Sequence, residues 1–140
     1  MYKHLLLPTD GSELSEKAIR SGIQLAKALN AKVTGLYVII DSLVARGIGK
    51  SMHGKEEDVL AAETFLRAIL SEAKQQNVPH EAFYATAGSV SDEIIKVASD
   101  KGCDLIFMAS HGRRGIGGLL LGSETMHVLT HSKIPVLVYR

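Results

Sequence analysis

Residues 105–109, Leu-Ile-Phe-Met-Ala, make a short unbroken apolar run, and the segment after it carries little side-chain bulk. Gly112, Gly115, Gly117 and Gly118 fall within seven residues, interleaved with Arg113 and Arg114, and Gly122-Ser123 then opens a helical pattern. Glycines let backbone N–H groups come close to a ligand, and a helix start adds unpaired donors and the positive end of a dipole. That is phosphate-binding chemistry, with the N–H groups of Gly112, Gly122 and Ser123 and the Ser123 hydroxyl as expected donors. Arg113 and Arg114 are either charge partners of a phosphate or solvated loop arginines. A second segment, Thr9-Asp10-Gly11-Ser12, also follows an apolar strand. There Asp10 can accept hydrogen bonds from ribose hydroxyls, or it can serve as a turn residue ahead of a helix.

Common phosphate and metal signatures do not describe these segments. A P-loop needs a lysine after its second glycine, whereas Gly117 is followed by Gly118 and Leu119. The dinucleotide fingerprint fails at its third glycine, where Leu120 stands. His127 and His131 have a zinc-like spacing of four, but the glutamate of His-Glu-x-x-His is missing, so they read as surface helix histidines. His111 sits inside the loop without a nearby carboxylate in sequence and reads as a residue orienting backbone. Cys103 precedes the buried run and reads as packing. No nucleophile–base pair is evident, so no catalytic residue and no metal ligand is assigned.

The elements that must position these groups alternate. Strands are expected at 3–8, 32–40, 80–86, 105–109 and 134–139. Between them, Ser12 caps a helix to about Leu29 with a stripe of Ala18, Ile19, Gly22, Ile23, Ala26 and Leu29. A second helix runs from Asp58 to about Gln76 on Val59, Ala62, Leu66, Ile69 and Ala73. Ser89-Val-Ser-Asp92 resembles a capping box before Ile94, Ile95, Val97 and Ala98. A last helix covers 123–131. Residues 41–57 have no clear period and read as a loop or short helix, and the strand at 80–86 is polar enough for a sheet edge. Strict β/α alternation predicts an α/β fold, a single domain over 1–140 with an open parallel sheet and helices on both faces.

The loop resembles a family motif. Ala109-Ser-His-Gly112, nine residues, then Gly122-Ser123 is similar to the Gly-x-x-Gly-x9-Gly-Ser/Thr pattern of nucleotide-binding universal stress proteins, with alanine in place of the first glycine. Leu5-Leu-Leu-Pro-Thr-Asp-Gly-Ser12 and Ser132-Lys-Ile-Pro-Val-Leu-Val-Tyr139 resemble that family's first and last strands. The resemblance implies a five-stranded sheet of order 3-2-1-4-5, Rossmann-like and akin to the adenine nucleotide alpha hydrolases. It sets Pro8, Thr9 and Asp10 beside Ala109, His111 and Gly112 at the point where the winding reverses, which favours ligand contact for Asp10. It further implies adenine recognition by backbone at Val38, and phosphate contacts from Arg113, Gly115, Gly122, Ser123 and Glu124. The implied ligand is ATP or AMP, with Mg²⁺ bridging phosphates as an option. It also implies a homodimer through the Pro135–Tyr139 strand; the expected role is a regulatory or stress-response module whose ligand state tunes loop order or the binding of a protein partner that the sequence does not identify. A slow ATP hydrolase or phosphoryl-transfer enzyme and a ligand-free dimeric interaction module are the alternatives.

Composition bounds the remaining classes. With 46% hydrophobic and 22% charged residues, the chain falls among ordinary globular proteins. A net charge of +1 gives no footprint for nucleic acid or an anionic membrane. No apolar run approaches the roughly 20 residues of a membrane helix. One cysteine and no signal peptide lead to the expectation of a cytoplasmic protein.

Overall fold

The computed structural model describes residues 1–48, 55–113 and 121–140. Five strands, β1 (His4–Thr9), β2 (Lys32–Ile40), β3 (His80–Ala87), β4 (Leu105–Ala109) and β5 (Val136–Tyr139), form one sheet of order β3-β2-β1-β4-β5. Every pairing is parallel. The helices are α1 (Glu13–Leu29), α2 (Ser42–Ala45), α3 (Glu56–Gln75), α4 (Val90–Asp100) and α5 (Ser123–His131). This is the order that the family resemblance implies, with β1 and β4 adjacent at the reversal.

Two apolar clusters follow from the alternation of side chains along the central strands. Leu5, Leu7, Leu105 and Phe107 pack with Ile19 and Ile23 of α1 and Leu66 and Ile69 of α3. Leu6, Leu36, Ile106 and Met108 pack on the opposite face with Ile94, Val97 and Val128 of α4 and α5. β1 and β4 are covered on both faces, which is why their sequences are unbroken apolar runs.

At the start of the strands a polar chain fixes the register. His4 Nε2 lies 2.7 Å from Thr34 Oγ1, and the Thr34 hydroxyl donates to Glu81 at 3.0 Å. Glu81 pairs with Lys101 at 3.1 Å. The Asp104 carboxylate accepts from the N–H groups of Lys3 and His4 at 2.8 and 2.9 Å. Burial, followed by the Lys32 charge, pushes the His4 pKa down, which favours a neutral ring in this interior position.

The element ends differ slightly from expectation, each for a local reason. α3 begins two residues early because Glu56, Glu57 and Asp58 stand in its first turn, where carboxylates complement the dipole. β5 starts at Val136 rather than 134. The Ser132 hydroxyl accepts from Ile134 N–H at 3.0 Å and donates to its carbonyl, while Pro135 has no N–H to pair. The Ser89 hydroxyl caps α4 by accepting from Asp92 N–H at 3.3 Å, but the Asp92 side chain turns to His127 Nε2 at 2.9 Å. The expected loop or short helix after Asp41 is the four-residue α2, and the rest of that prediction over 49–54 lies outside the described residues.

Candidate nucleotide site

The crevice lies at the carboxyl ends of β1, β2 and β4. An inner compartment of about 170 Å³ is lined by Pro8, Thr9, Asp10, Val38, Ala109, His111, Gly112 and Glu124 among others. An outer compartment of about 680 Å³ shares Asp10, His111, Gly112 and Glu124 and adds Arg113, Gly122 and Ser123. Two segments about a hundred residues apart in sequence therefore meet in one cleft. Of the expected site residues, Gly115 lies outside the described residues, as does Arg114, the second candidate charge partner.

Asp10 is the junction. One carboxylate oxygen accepts from Ser12 N–H at 2.9 Å, closing the turn after β1. The other accepts from Arg113 N–H, also at 2.9 Å, tying that turn to the loop after β4. Burial pushes the Asp10 pKa up, but the Ser12 hydroxyl, the N–H groups of Ser12 and Arg113, and the Ser15 hydroxyl outweigh it and hold the carboxyl below its ordinary range. An ionised carboxylate is acceptor-only, so it suits a sugar hydroxyl and repels a phosphate. Both readings of Asp10 from the sequence thus coexist in the geometry: it makes the turn, and it also faces the cleft.

Gly112 is required by this contact, because a Cβ there would overlap Asp10 Oδ2. The Ala109 carbonyl accepts from the buried Thr125 hydroxyl at 2.9 Å, which pins the first turn of α5 against the end of β4. Gly122 differs from expectation. It is the N-cap of α5, and its N–H donates to the Ser110 carbonyl at 2.7 Å, so this donor is already engaged. No side chain caps α5, and among the described residues the N–H groups of Ser123, Glu124 and Thr125 have no protein acceptor. These three donors open toward the outer compartment at the positive end of the helix.

Two side chains behave differently from what their sequence positions suggest. Glu124 Oε2 accepts from Ser91 N–H at 2.8 Å and so occupies the N-terminus of α4. The Arg113 guanidinium lies 5.4 Å from the centroid of the Phe65 ring on α3. His111 Nδ1 stays near the Gly112 carbonyl at 3.3 Å. His127 and His131 stack at 4.1 Å between ring centroids on α5. The buried Cys103 thiol is pushed up to about 11 by burial and by Asp104 beside it, as fits a packing role. Sequence reasoning missed the apolar lining from Leu36, Val90, Ile94 and Met108. Their signal was indistinguishable from that of ordinary core residues, because the cleft wall is the core's own edge.

The sheet order and the overall fold agree with known proteins. The family model for the universal stress protein family matches residues 1–140. The chain belongs to the universal stress protein family. Universal stress protein MJ0577 of Methanocaldococcus jannaschii is 33% identical, with 100% of this chain and 96% of that one covered. Its solved structure superposes with a TM-score of 0.78 at 30% identity, covering 99% of this chain and 96% of that chain. A universal stress protein solved in complex with cAMP has a TM-score of 0.77 at 26% identity, covering 99% of this chain and 97% of that chain. Ala109, at the first glycine position of the motif, is buried against the apolar core, and its carbonyl accepts from the Thr125 hydroxyl. No helix among the described residues is long and apolar enough to cross a membrane.

Proposed function

We propose that this universal stress protein binds an adenine nucleotide in the cleft between the β1 and β4 ends and acts as a regulatory module whose partner binding depends on the ligand. The observation carrying this is the pairing, in one cleft, of an ionised Asp10 acceptor with the open N–H groups of α5. The first suits ribose hydroxyls and the second suits phosphate, while the inner wall of Leu36, Val38, Ile94 and Met108 suits a flat apolar base. The cAMP complex of a relative of like fold supports the same ligand class. Pro8, Thr9 and Val38 would meet the base and sugar, and the N–H groups of Ser123 and Glu124, with His111, Gly112 and Gly115 of the loop, would meet phosphates. ATP or AMP is the ligand of choice in this reading. Among the described residues no group of three His, Cys, Asp or Glu side chains could hold a metal, so a Mg²⁺ arriving with ATP would be held chiefly by phosphate oxygens.

The assembly we propose is a homodimer through β5. Among the described strands β5 pairs only with β4, leaving its outer edge open, and Leu137 on it is exposed. A two-fold pairing of Pro135–Tyr139 with its copy would close both edges. A cytoplasmic setting is consistent with this reading.

The deciding experiment is mass spectrometry of nucleotide released from the purified chain, followed by calorimetry with ATP, AMP and cAMP. Micromolar binding of any one supports the reading, and heat from none of them overturns it.

A further inference from the structure

Three strand ends converge on a single aromatic ring that the cleft itself does not contain. Phe65 projects from the middle of α3 and is half-buried. Tyr37, near the end of β2, stacks on it at 5.9 Å between centroids and 10° between planes. Gly11, in the turn after β1, has a φ of +77° and lies so close to the ring that a Cβ there would overlap it. The Arg113 guanidinium, from the loop after β4, lies over the ring at 5.4 Å. Arg113 is the residue whose N–H binds Asp10, so its backbone and side chain grip the β1 turn and α3 together.

We infer that Phe65 is a positioning residue for the ligand cleft: its ring, clamped between Tyr37, Gly11 and the Arg113 guanidinium, holds the start of the glycine-rich loop in register with Asp10. This rests on the nucleotide reading for its binding consequence but not for its structural one. A cation over an aromatic face is attracted by the ring's quadrupole, and a planar guanidinium stacks there better than an ammonium. Close packing of Gly11 and Tyr37 on the ring limits how far it can move. Arg113 then works through its stacked side chain rather than as a phosphate ligand. The two roles predict opposite signs. If the ring holds the loop in its binding form, removing the ring weakens nucleotide binding. If the ring stores a guanidinium that must leave to reach phosphate, removing the ring tightens binding.

The test uses the full chain with Phe65→Leu, Arg113→Ala and the double variant. Phe65→Leu keeps an apolar side chain in the α3 interface while deleting the π face. Amide hydrogen exchange of the ligand-free proteins by NMR should show residue 113 exchanging about threefold to tenfold faster in Phe65→Leu, in keeping with loss of one cation–aromatic contact and its packing. Amides of β5, at the sheet edge opposite the strands that α3 packs on, should keep their rates once global stability is measured by urea unfolding. Calorimetry with ATP should show affinity falling by a similar factor in each single variant, with the double variant no worse than either. Unchanged exchange at residue 113, tighter ATP binding by Phe65→Leu, or additive losses in the double variant would each overturn the assignment. A chain that binds no ATP at all would defeat the nucleotide reading instead, while the exchange rates would still decide the role of Phe65.

Discussion

Replacing Asp10 with Asn tests the junction at its centre. The amide keeps the carboxylate's shape but offers one acceptor and one donor where the native group has two acceptors. Ser12 N–H and Arg113 N–H, each 2.9 Å away, both require an acceptor, so one must face an NH₂ group. Losing a hydrogen bond to a charged group costs about 1.5–3 kcal/mol, and the partial exposure of this site brings the expectation to about 1–2 kcal/mol. For a chain of this size that lowers Tm by about 3–8 °C. Urea unfolding of both proteins measures it, and pH supplies a second check. The folded pKa of Asp10 is depressed below the ordinary 3.8, so its contribution is fully present above that value and is lost as pH falls through the folded pKa. The stability gap between the two proteins should therefore be flat from about pH 5 to 7 and should close below about pH 4. A gap that is absent at pH 7, or that persists undiminished at pH 3, would refute the idea that an ionised Asp10 joins the two loops.

Gly112→Ala should drive its methyl into Asp10 Oδ2, separating the β1 and β4 ends and weakening ATP binding at least tenfold by calorimetry; native-like affinity in the folded variant would place the ligand elsewhere. Thr125→Val removes the buried donor to the Ala109 carbonyl and should cost about 1–2 kcal/mol in urea unfolding. Cys103, buried and with its thiol pushed up to about 11, should resist Ellman's reagent in the folded chain at pH 8 and react on addition of denaturant. Leu137→Pro should halve the mass seen in light scattering if β5 is the dimer edge, whereas an unmodified chain that scatters as a monomer at tens of micromolar contradicts the dimer.

Much of the architecture was legible because this sheet leaves strong local marks. Leu5-Leu-Leu and Leu105–Ala109 are apolar without alternation because helices cover both of their faces. The α1 and α3 stripes recur at helical spacing because only one side of each helix meets the sheet. The glycine-rich loop and the Thr9-Asp10 turn were legible as chemistry for a different reason: their residue types serve backbone approach and hydrogen bonding more than packing. That β1 and β4 lie side by side was carried by the family resemblance, since no local periodicity encodes strand order. The partners of individual groups were not legible. Whether Gly122 N–H faces a ligand or the Ser110 carbonyl depends on how α5 seats against β4. That is a tertiary fact set partly by Thr125, sixteen residues from its acceptor. The destination of Arg113 is similar, because nothing in the loop announces an aromatic ring on α3.

The engagement of Gly122 and Glu124 changes how the cleft must work. An unoccupied helix start surrounded by acidic side chains would bind phosphate poorly, because Asp10 and Glu124 both line the same space. The fold limits that conflict by giving each carboxylate its own N–H donors. Asp10 is held by the Ser12 and Arg113 amides, and Glu124 by the Ser91 amide at the start of α4. Each interaction draws negative charge toward a fixed donor, leaving the Ser123, Glu124 and Thr125 amides at the α5 end open to an incoming anion. On this reasoning Glu124→Gln should remove one negative charge from the cleft while keeping an acceptor for Ser91 N–H. It should tighten ATP by about threefold to tenfold, the effect of removing one like charge across a partly screened gap. Adenosine, which has no phosphate, should bind both proteins alike. The decisive comparison is the ATP-to-adenosine affinity ratio at low and high salt. A ratio that does not rise in the Glu124→Gln chain would mean that the α4 N-terminus already neutralises this carboxylate, or that the phosphates never approach α5.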